Sequence, residues 1–177
     1  QFKVEFECEF LGSVNTLINP SKLKNLVYEN PIQKSAGLDV YEAPQKDHNY
    51  LITVDVARGL GNDYSAFIVF DITNFPYKAV AKYRNNEIKP MLFPSIIDDI
   101  GKAYNKAFIL CEVNDIGDQV ASILNYDLEY DNLLMCSQRG RAGQVVGAGF
   151  SGKRSQLGVR TTAAVKKLGC SNLKTLL

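Results

Sequence analysis

Two carboxylates stand where a buried β-strand ordinarily carries valine. In "YLITVDVA", residues 50–57, Asp55 falls near the end of an almost continuously apolar, β-branched run, and in "AFILCEV", residues 107–113, Glu112 does the same. An unpaired carboxylate in such a setting is costly, so each needs a hydrogen-bond donor, a cation or a metal. One or two carboxylates, completed by water and a substrate phosphate, suit Mg²⁺ or Mn²⁺. The chemistry such a pair supports is attack of water on a phosphodiester, with divalent metal steadying the attacking and leaving oxygens. Singly, each acid also has a plain structural reading: Asp55 accepts hydrogen bonds from the turn 59–63, and Glu112 pairs with an arginine. Together they favour the metal. Asp63 reads first as a turn residue and second as an auxiliary ligand. Asp98 and Asp99 belong to the first turn of a helix and Asp115 and Asp118 to the caps of the next, so these four stay outside the site.

The elements that must position these acids follow from periodicity. Residues 50–57 and 64–72 are β-rich runs joined by a glycine-bearing turn, and a third strand over about 77–83 completes an antiparallel meander. After Pro94, Ser95 and Asp98 form a capping box, and Ile96, Ile97, Ile100 and Tyr104 recur at helical spacing. The helix crosses over to 107–113, which must then run parallel to a strand already in the sheet. A helix bearing Ile116, Val120, Ile123 and Leu124 on one face follows, and "NLLMC", residues 132–136, gives a further parallel strand. The fold class is therefore α/β: a mixed sheet, three antiparallel strands followed by parallel ones, with helices on both faces. In such sheets sites lie beyond the carboxyl ends of parallel strands, where Asp55 and Glu112 are predicted.

Upstream, Phe2, Val4, Phe6, Cys8 and Phe10 alternate with charged residues as in a half-exposed edge strand, and residues 20–29 suit a short helix with Pro20 near its start. At 177 residues the chain suits one domain. Within it, residues 1–48 supply the edge strand and helix, 49–136 the core, 137–160 a basic glycine-rich loop or hairpin, and 161–177 carboxy-terminal helices. Ser171 looks like a helix cap and the final apolar run lacks a carboxyl cap, so the chain is expected to be truncated within or just after a helix. No apolar run approaches the roughly 20 residues that span a bilayer, and the amino terminus does not read as a signal peptide; a soluble, intracellular protein is expected. Cys8, Cys111, Cys136 and Cys170 are widely spaced, form no Cys-x-x-Cys pair, and read as reduced, partly buried thiols.

The net charge of +1 conceals an asymmetry. All 19 acidic residues and 12 of the 20 Lys and Arg lie in residues 1–131, whereas 132–177 carries eight bases and no acid. Arg139, Arg141, Lys153, Arg154 and Arg160 are interleaved with six glycines between Gly140 and Gly158. A flexible basic segment beside an acidic body is what a polyanion-binding surface looks like in sequence, with a solvated, internally balanced loop as the alternative. "GAGFSGK", residues 147–153, fits the start of a phosphate-binding loop. Arg154 nevertheless stands where Ser or Thr would ligate Mg²⁺, and the following residues do not form a convincing helix. A basic hairpin on DNA phosphates explains them better.

From about residue 36 onward, "ITVDVARGLGNDYSAFIVFDIT", "AVAKYRNNEIKP", "LCEVNDIGDQVASIL", "LLMCSQRGRAGQ" and "GFSGKRSQLGV" closely resemble the carboxy-terminal nuclease domain of the large terminase subunit of T-even-like tailed phages. The resemblance implies an RNase H-like fold and an endonuclease that cuts concatemeric double-stranded viral DNA. It implies metal ligation by Asp55 and Glu112, with Asp63 matching a further acid, and Mg²⁺ or Mn²⁺ as cofactor. A portal ring, a small terminase subunit and an amino-terminal packaging ATPase domain of the same parent chain are its implied partners, in the cytoplasm of an infected bacterium, with no membrane. The family's third ligand comes from an Asp-Asp pair on a carboxy-terminal helix, and this chain has no acid after Asp131. Impaired activity is the expectation. Alternatives are an RNase H-like junction resolvase, a DNA-gripping domain without activity, and, more remotely, an actin-like ATPase domain.

Overall fold

The computed structural model describes residues 17–138, 144–147 and 155–176. Asn30–Thr161 forms one compact unit, and the described residues outside it, 17–29 and 162–176, fall to another. The expected edge strand at residues 2–10 lies outside the described residues.

The larger unit is built on a six-stranded mixed sheet in the order β1-β2-β5-β4-β3-β6. Its strands are β1 (Gln33–Ser35), β2 (Leu38–Val40), β3 (Tyr50–Asp55), β4 (Ser65–Asp71), β5 (Lys78–Asn85) and β6 (Phe108–Cys111). The meander β3-β4-β5 is antiparallel throughout, and β3 and β6 run parallel with Ile52 beside Ile109 and Val54 beside Cys111. Alternation does the sorting. Ile52, Val54, Phe67, Val69, Ile109 and Cys111 point to one face and form the core with Phe93, Ile97, Val120 and Leu124. Phe67, Tyr83 and Phe93 stack there with ring centroids 5.1 to 6.1 Å apart. The opposite face carries Leu51, Thr53 and Asp55, all at least partly open to solvent.

Helices α2 (Phe93–Ala103) and α3 (Gly117–Ser122, continued by one π-helical turn, Ile123–Asp127) both contribute buried residues to that core face. Helices are thus described on one face of this sheet within Asn30–Thr161. Helix α2 begins two residues before the expected capping box. Pro94, whose fixed φ suits the first turn, is its second residue, and its N-cap is Leu92 with no side-chain bond. Asp98 is therefore inside the helix, buried, and ion-paired with Lys102 one turn on at 2.6 Å.

The expected parallel strand at 132–136 forms only in part. Leu133 bridges in parallel to Ile109, after which β7 (Met135–Gln138) leaves the main sheet. It pairs instead with β8 (Gln144–Gly147) and β9 (Ser155–Leu157) in a second, antiparallel sheet of order β8-β7-β9. In the smaller unit, α1 (Pro20–Lys24) is capped by Asn19, whose Oδ1 accepts from the Ser21 N–H, and α4 (Ala163–Leu176) runs as one helix where several were expected.

The far end of the sheet from Asp55 is fastened by a polar latch. Asp71 Oδ2 lies 2.6 Å from His48 Nδ1, and Asp71 Oδ1 accepts from the Thr73 N–H. Burial alone raises this carboxyl, but the bonds from Thr73 and His48 outweigh it and hold Asp71 below the ordinary carboxylate range. The latch therefore stabilises fully above the unfolded Asp value of about 3.9 and is lost as pH falls through the lowered folded value. Asp71→Asn is expected to cost about 1–2 kcal/mol near neutrality, with the gap closing in acid. Urea titrations of both proteins from pH 7 to pH 3 check this; a gap constant with pH would assign the effect to packing.

Candidate metal centre

Asp55 ends β3 and Glu112 follows β6, and the parallel register that sets Val54 beside Cys111 sets these two beside each other at its next step. The Glu112 N–H donates to the Val54 carbonyl at 2.9 Å, fixing that step. On the other side of β3, Asp55 faces Ala66, a side chain too small to fill the space above the sheet. Two clefts open there, one of about 680 Å³ and one of about 360 Å³, and both are lined by Asp55 and Ala66. Glu112 lines the smaller.

The main chain that carries Glu112 is gripped by two glycines. Gly117, at the start of α3, packs so closely that a Cβ there would overlap the Glu112 carbonyl oxygen. Gly158, with φ of 104° in the left-handed region, lies against the Cys111 carbonyl. Segment 158–161 thereby runs beside 111–114. Val159 exchanges backbone bonds with Cys111 and Val113, and the Asn114 side chain both donates to the Thr161 carbonyl and accepts from the Thr161 N–H. Cys111, next to Glu112, is buried in the core, where loss of hydration pushes its thiol up to about 12.

The loop between β3 and β4 is closed at its neck by buried Ser65, whose Oγ accepts from the Ala57 N–H at 3.0 Å. Asn86 pins its far side through bonds with Gly61. Asp63 sits on this loop, exposed, and lines the larger cleft with Asp55.

Electrostatically the site is a meeting of like charges. The Asp55 carboxyl is raised by loss of hydration, then by the charge of Glu112 and by a hydrogen bond between the two side chains, with a smaller push from Asp63; only the Val56 N–H opposes. Two carboxylates side by side repel, and a divalent ion between them would relieve that repulsion. The donors are all oxygen, which fits Mg²⁺ or Mn²⁺. Among the described residues no group of three or more His, Cys, Asp or Glu converges to hold a metal. Asp55 and Glu112 are brought together; Asp63 acts on Asp55 through its charge. The arginine expected as an alternative partner of Glu112 is absent from the ion pairs of the described residues.

The larger cleft contains a feature that the sequence did not announce. Arg58, three residues after Asp55, makes a two-pronged pair with Asp115, three residues after Glu112: Nε to Oδ2 at 2.8 Å and Nη2 to Oδ1 at 2.6 Å. Asp115 is thus committed to Arg58 across the two acid-bearing loops. Its expected capping role gives way to this, since the N-cap of α3 is Ile116.

Of the basic residues expected on DNA, Arg139, Arg141, Lys153 and Arg154 lie outside the described residues, as do residues 148–153 of the phosphate-loop-like stretch. Arg160 is exposed. Its backbone is clasped by the Gln144 side chain, which accepts from the Arg160 N–H at 2.9 Å and donates to its carbonyl at 2.6 Å, so its position follows from β8 and from the neighbouring Val159–Glu112 bridge.

The family model for the terminase RNaseH-like domain matches residues 52–177, the stretch that contains both acids, most of β3 and every element after it. This chain belongs to that family. Solved structures agree with the terminase RNase H-like fold. The large terminase nuclease of thermophilic phage G20c with bound magnesium superposes with a TM-score of 0.66 at 19% identity, over 93% of this chain and 71% of that one. Its cobalt-bound form gives 0.64 at 22% identity with the same coverage, and a zinc-bound form 0.57 at 19%, over 83% and 69%. At such identities the likeness is one of fold. No helix among the described residues of this terminase-family domain is long and apolar enough to cross a membrane.

Proposed function

We propose that this domain is a metal-dependent endonuclease that hydrolyses double-stranded DNA during phage genome packaging. The observation that carries the reading is the Asp55–Glu112 pair: two carboxyls on adjacent parallel strand ends, at the mouth of two clefts, with the Asp55 carboxyl raised by lost hydration and by the charge of Glu112. Family membership and the metals named for the phage G20c structures support it.

Asp55 and Glu112 would hold Mg²⁺ or Mn²⁺, weakly if water and phosphate complete the coordination. When bound, such an ion activates water and stabilises charge on the scissile phosphate. The protein's own contribution is placement. Strand register sets the two acids side by side, Gly117 and Gly158 fix the chain of the second, and Asp63 adds negative charge that favours a cation over a free site. Arg139, Arg141, Lys153, Arg154 and Arg160 would neutralise DNA phosphates, which positions the duplex without reading its sequence. The resemblance to T-even-like enzymes, the partnership with a portal ring, a small terminase subunit and a packaging ATPase domain, and a host-cytoplasmic location belong to the same proposal.

Supercoiled plasmid incubated with the domain and Mg²⁺ or Mn²⁺ should yield nicked and linear DNA, and none with EDTA. Product that persists in EDTA, or no product with either metal, would overturn the reading.

A further inference from the structure

Among the residues lining the larger cleft there are three acids, Asp55, Asp63 and Asp115, and one base, Arg58. A phosphate entering beside Asp55 meets net negative charge from the lining, and Arg58 is the one cationic side chain among those residues to offset it. Arg58 is well placed to do so. Its pair with Asp115 uses Nε–H and one Nη2–H, leaving three of the five guanidinium N–H groups free of that bond. Both side chains are more than half exposed, 65% for Arg58 and 58% for Asp115, and an ion pair so open to water contributes little to folding. A planar, two-pronged clasp nevertheless fixes the direction in which the remaining donors point. Asp115 reaches the pair from a left-handed backbone, φ of 50°, a conformation that Asp tolerates better than most residues other than glycine.

On the nuclease reading, we infer that Arg58 contacts a backbone phosphate of the DNA strand lying in the Asp55 cleft and that Asp115 is the positioning residue that aims it. Arg58 stands outside the basic carboxy-terminal quarter. It is a contact supplied by the loop of the first acid, close to the bond that is cut.

The rival explanation is a strap: Arg58 and Asp115 tie the two acid-bearing loops together and touch no DNA. Arg58→Ala, Arg58→Lys and Asp115→Asn, compared with the unaltered chain, separate the two. Binding to a short fluorescent duplex in EDTA is measured over a range of salt, and plasmid cleavage with Mg²⁺ gives kcat/KM. If Arg58 holds a phosphate, Arg58→Ala flattens the slope of log K against log salt by about 0.9. It also lowers kcat/KM by about tenfold to a hundredfold. Arg58→Lys keeps the slope but recovers only part of the rate, because a point charge replaces the fork. Asp115→Asn keeps the slope and loses less rate than Arg58→Ala. Thermal midpoints move little in all three. An unchanged slope in Arg58→Ala, with equal losses of rate in Arg58→Ala and Asp115→Asn, overturns the inference in favour of the strap while leaving the nuclease reading intact. Absence of metal-dependent cleavage by the unaltered chain overturns that reading, and this inference with it.

Discussion

Asp55→Asn and Glu112→Gln are each expected to lower metal-dependent plasmid cleavage by more than about a hundredfold, since even partners that merely orient a metal ligand typically contribute tenfold to a hundredfold. Both changes preserve shape and remove a charge. The fold should survive them, and for Asp55 the direction can be given. Its carboxyl is raised in the folded chain by lost hydration and by Glu112, so at neutral pH the ionised acid opposes folding. Asp55→Asn, without metal, should therefore unfold at the same temperature as the parent or above it. That pattern, activity lost with stability kept or gained, is what a site strained for function yields. Calorimetry beside the cleavage assay checks it; a midpoint that drops with activity would mean that Asp55 serves the fold.

Gly117→Ala is expected to damage both stability and activity through the backbone of Glu112. A methyl group at position 117 has no room, because it would overlap the Glu112 carbonyl oxygen, a main-chain atom that cannot swing away. Either α3 withdraws or the chain bearing Glu112 shifts, and the overpacking should cost about 1–3 kcal/mol. In a chain of this size that is a fall of several degrees in the thermal midpoint. Gly169 in α4 is the control. A Cβ there meets nothing within 4 Å, so Gly169→Ala should be neutral, or stabilising by up to about 1 kcal/mol through helix propensity. Equal effects of the two substitutions would deny that Gly117 is a packing constraint on the site.

What could be read in the chain beforehand was whatever leaves a periodic trace. The meander β3-β4-β5, the crossover through α2 and the arrival at β6 were legible because each element is a distinct β-rich apolar run or keeps helical spacing, with turn residues between them. Asp55 and Glu112 stood out because each interrupts an apolar run, and burial makes such an interruption costly. The hairpin β1-β2 escaped notice: its strands have three residues each, exposed or half-exposed, too short for alternation to show. Its only mark is the Ala36-Gly37 turn, where both residues have positive φ.

The departure of β7 from the main sheet was hidden for another reason. "NLLMC" is apolar enough for a parallel strand, and only the pairing of Cys136 with Val146 and Gln156, distant in sequence, decides against continuing beside β6. The start of α2 was misread since a capping box and a proline competed within three residues. Polar fasteners were invisible as a class. Arg58 and Asp115 are 57 positions apart, and Asn114 and Gln144 act on backbone groups of Thr161 and Arg160, so neither pattern nor composition reveals them.

The most direct test of a metal centre at Asp55 and Glu112 is the anomalous scattering of crystals of this domain soaked in Mn²⁺. A metal-centred nuclease requires a manganese peak bonded to oxygens of both carboxylates, at roughly 2.0–2.3 Å as for small hard divalent ions, and its loss in Asp55→Asn. A peak bound elsewhere, or none at saturating Mn²⁺, would contradict it.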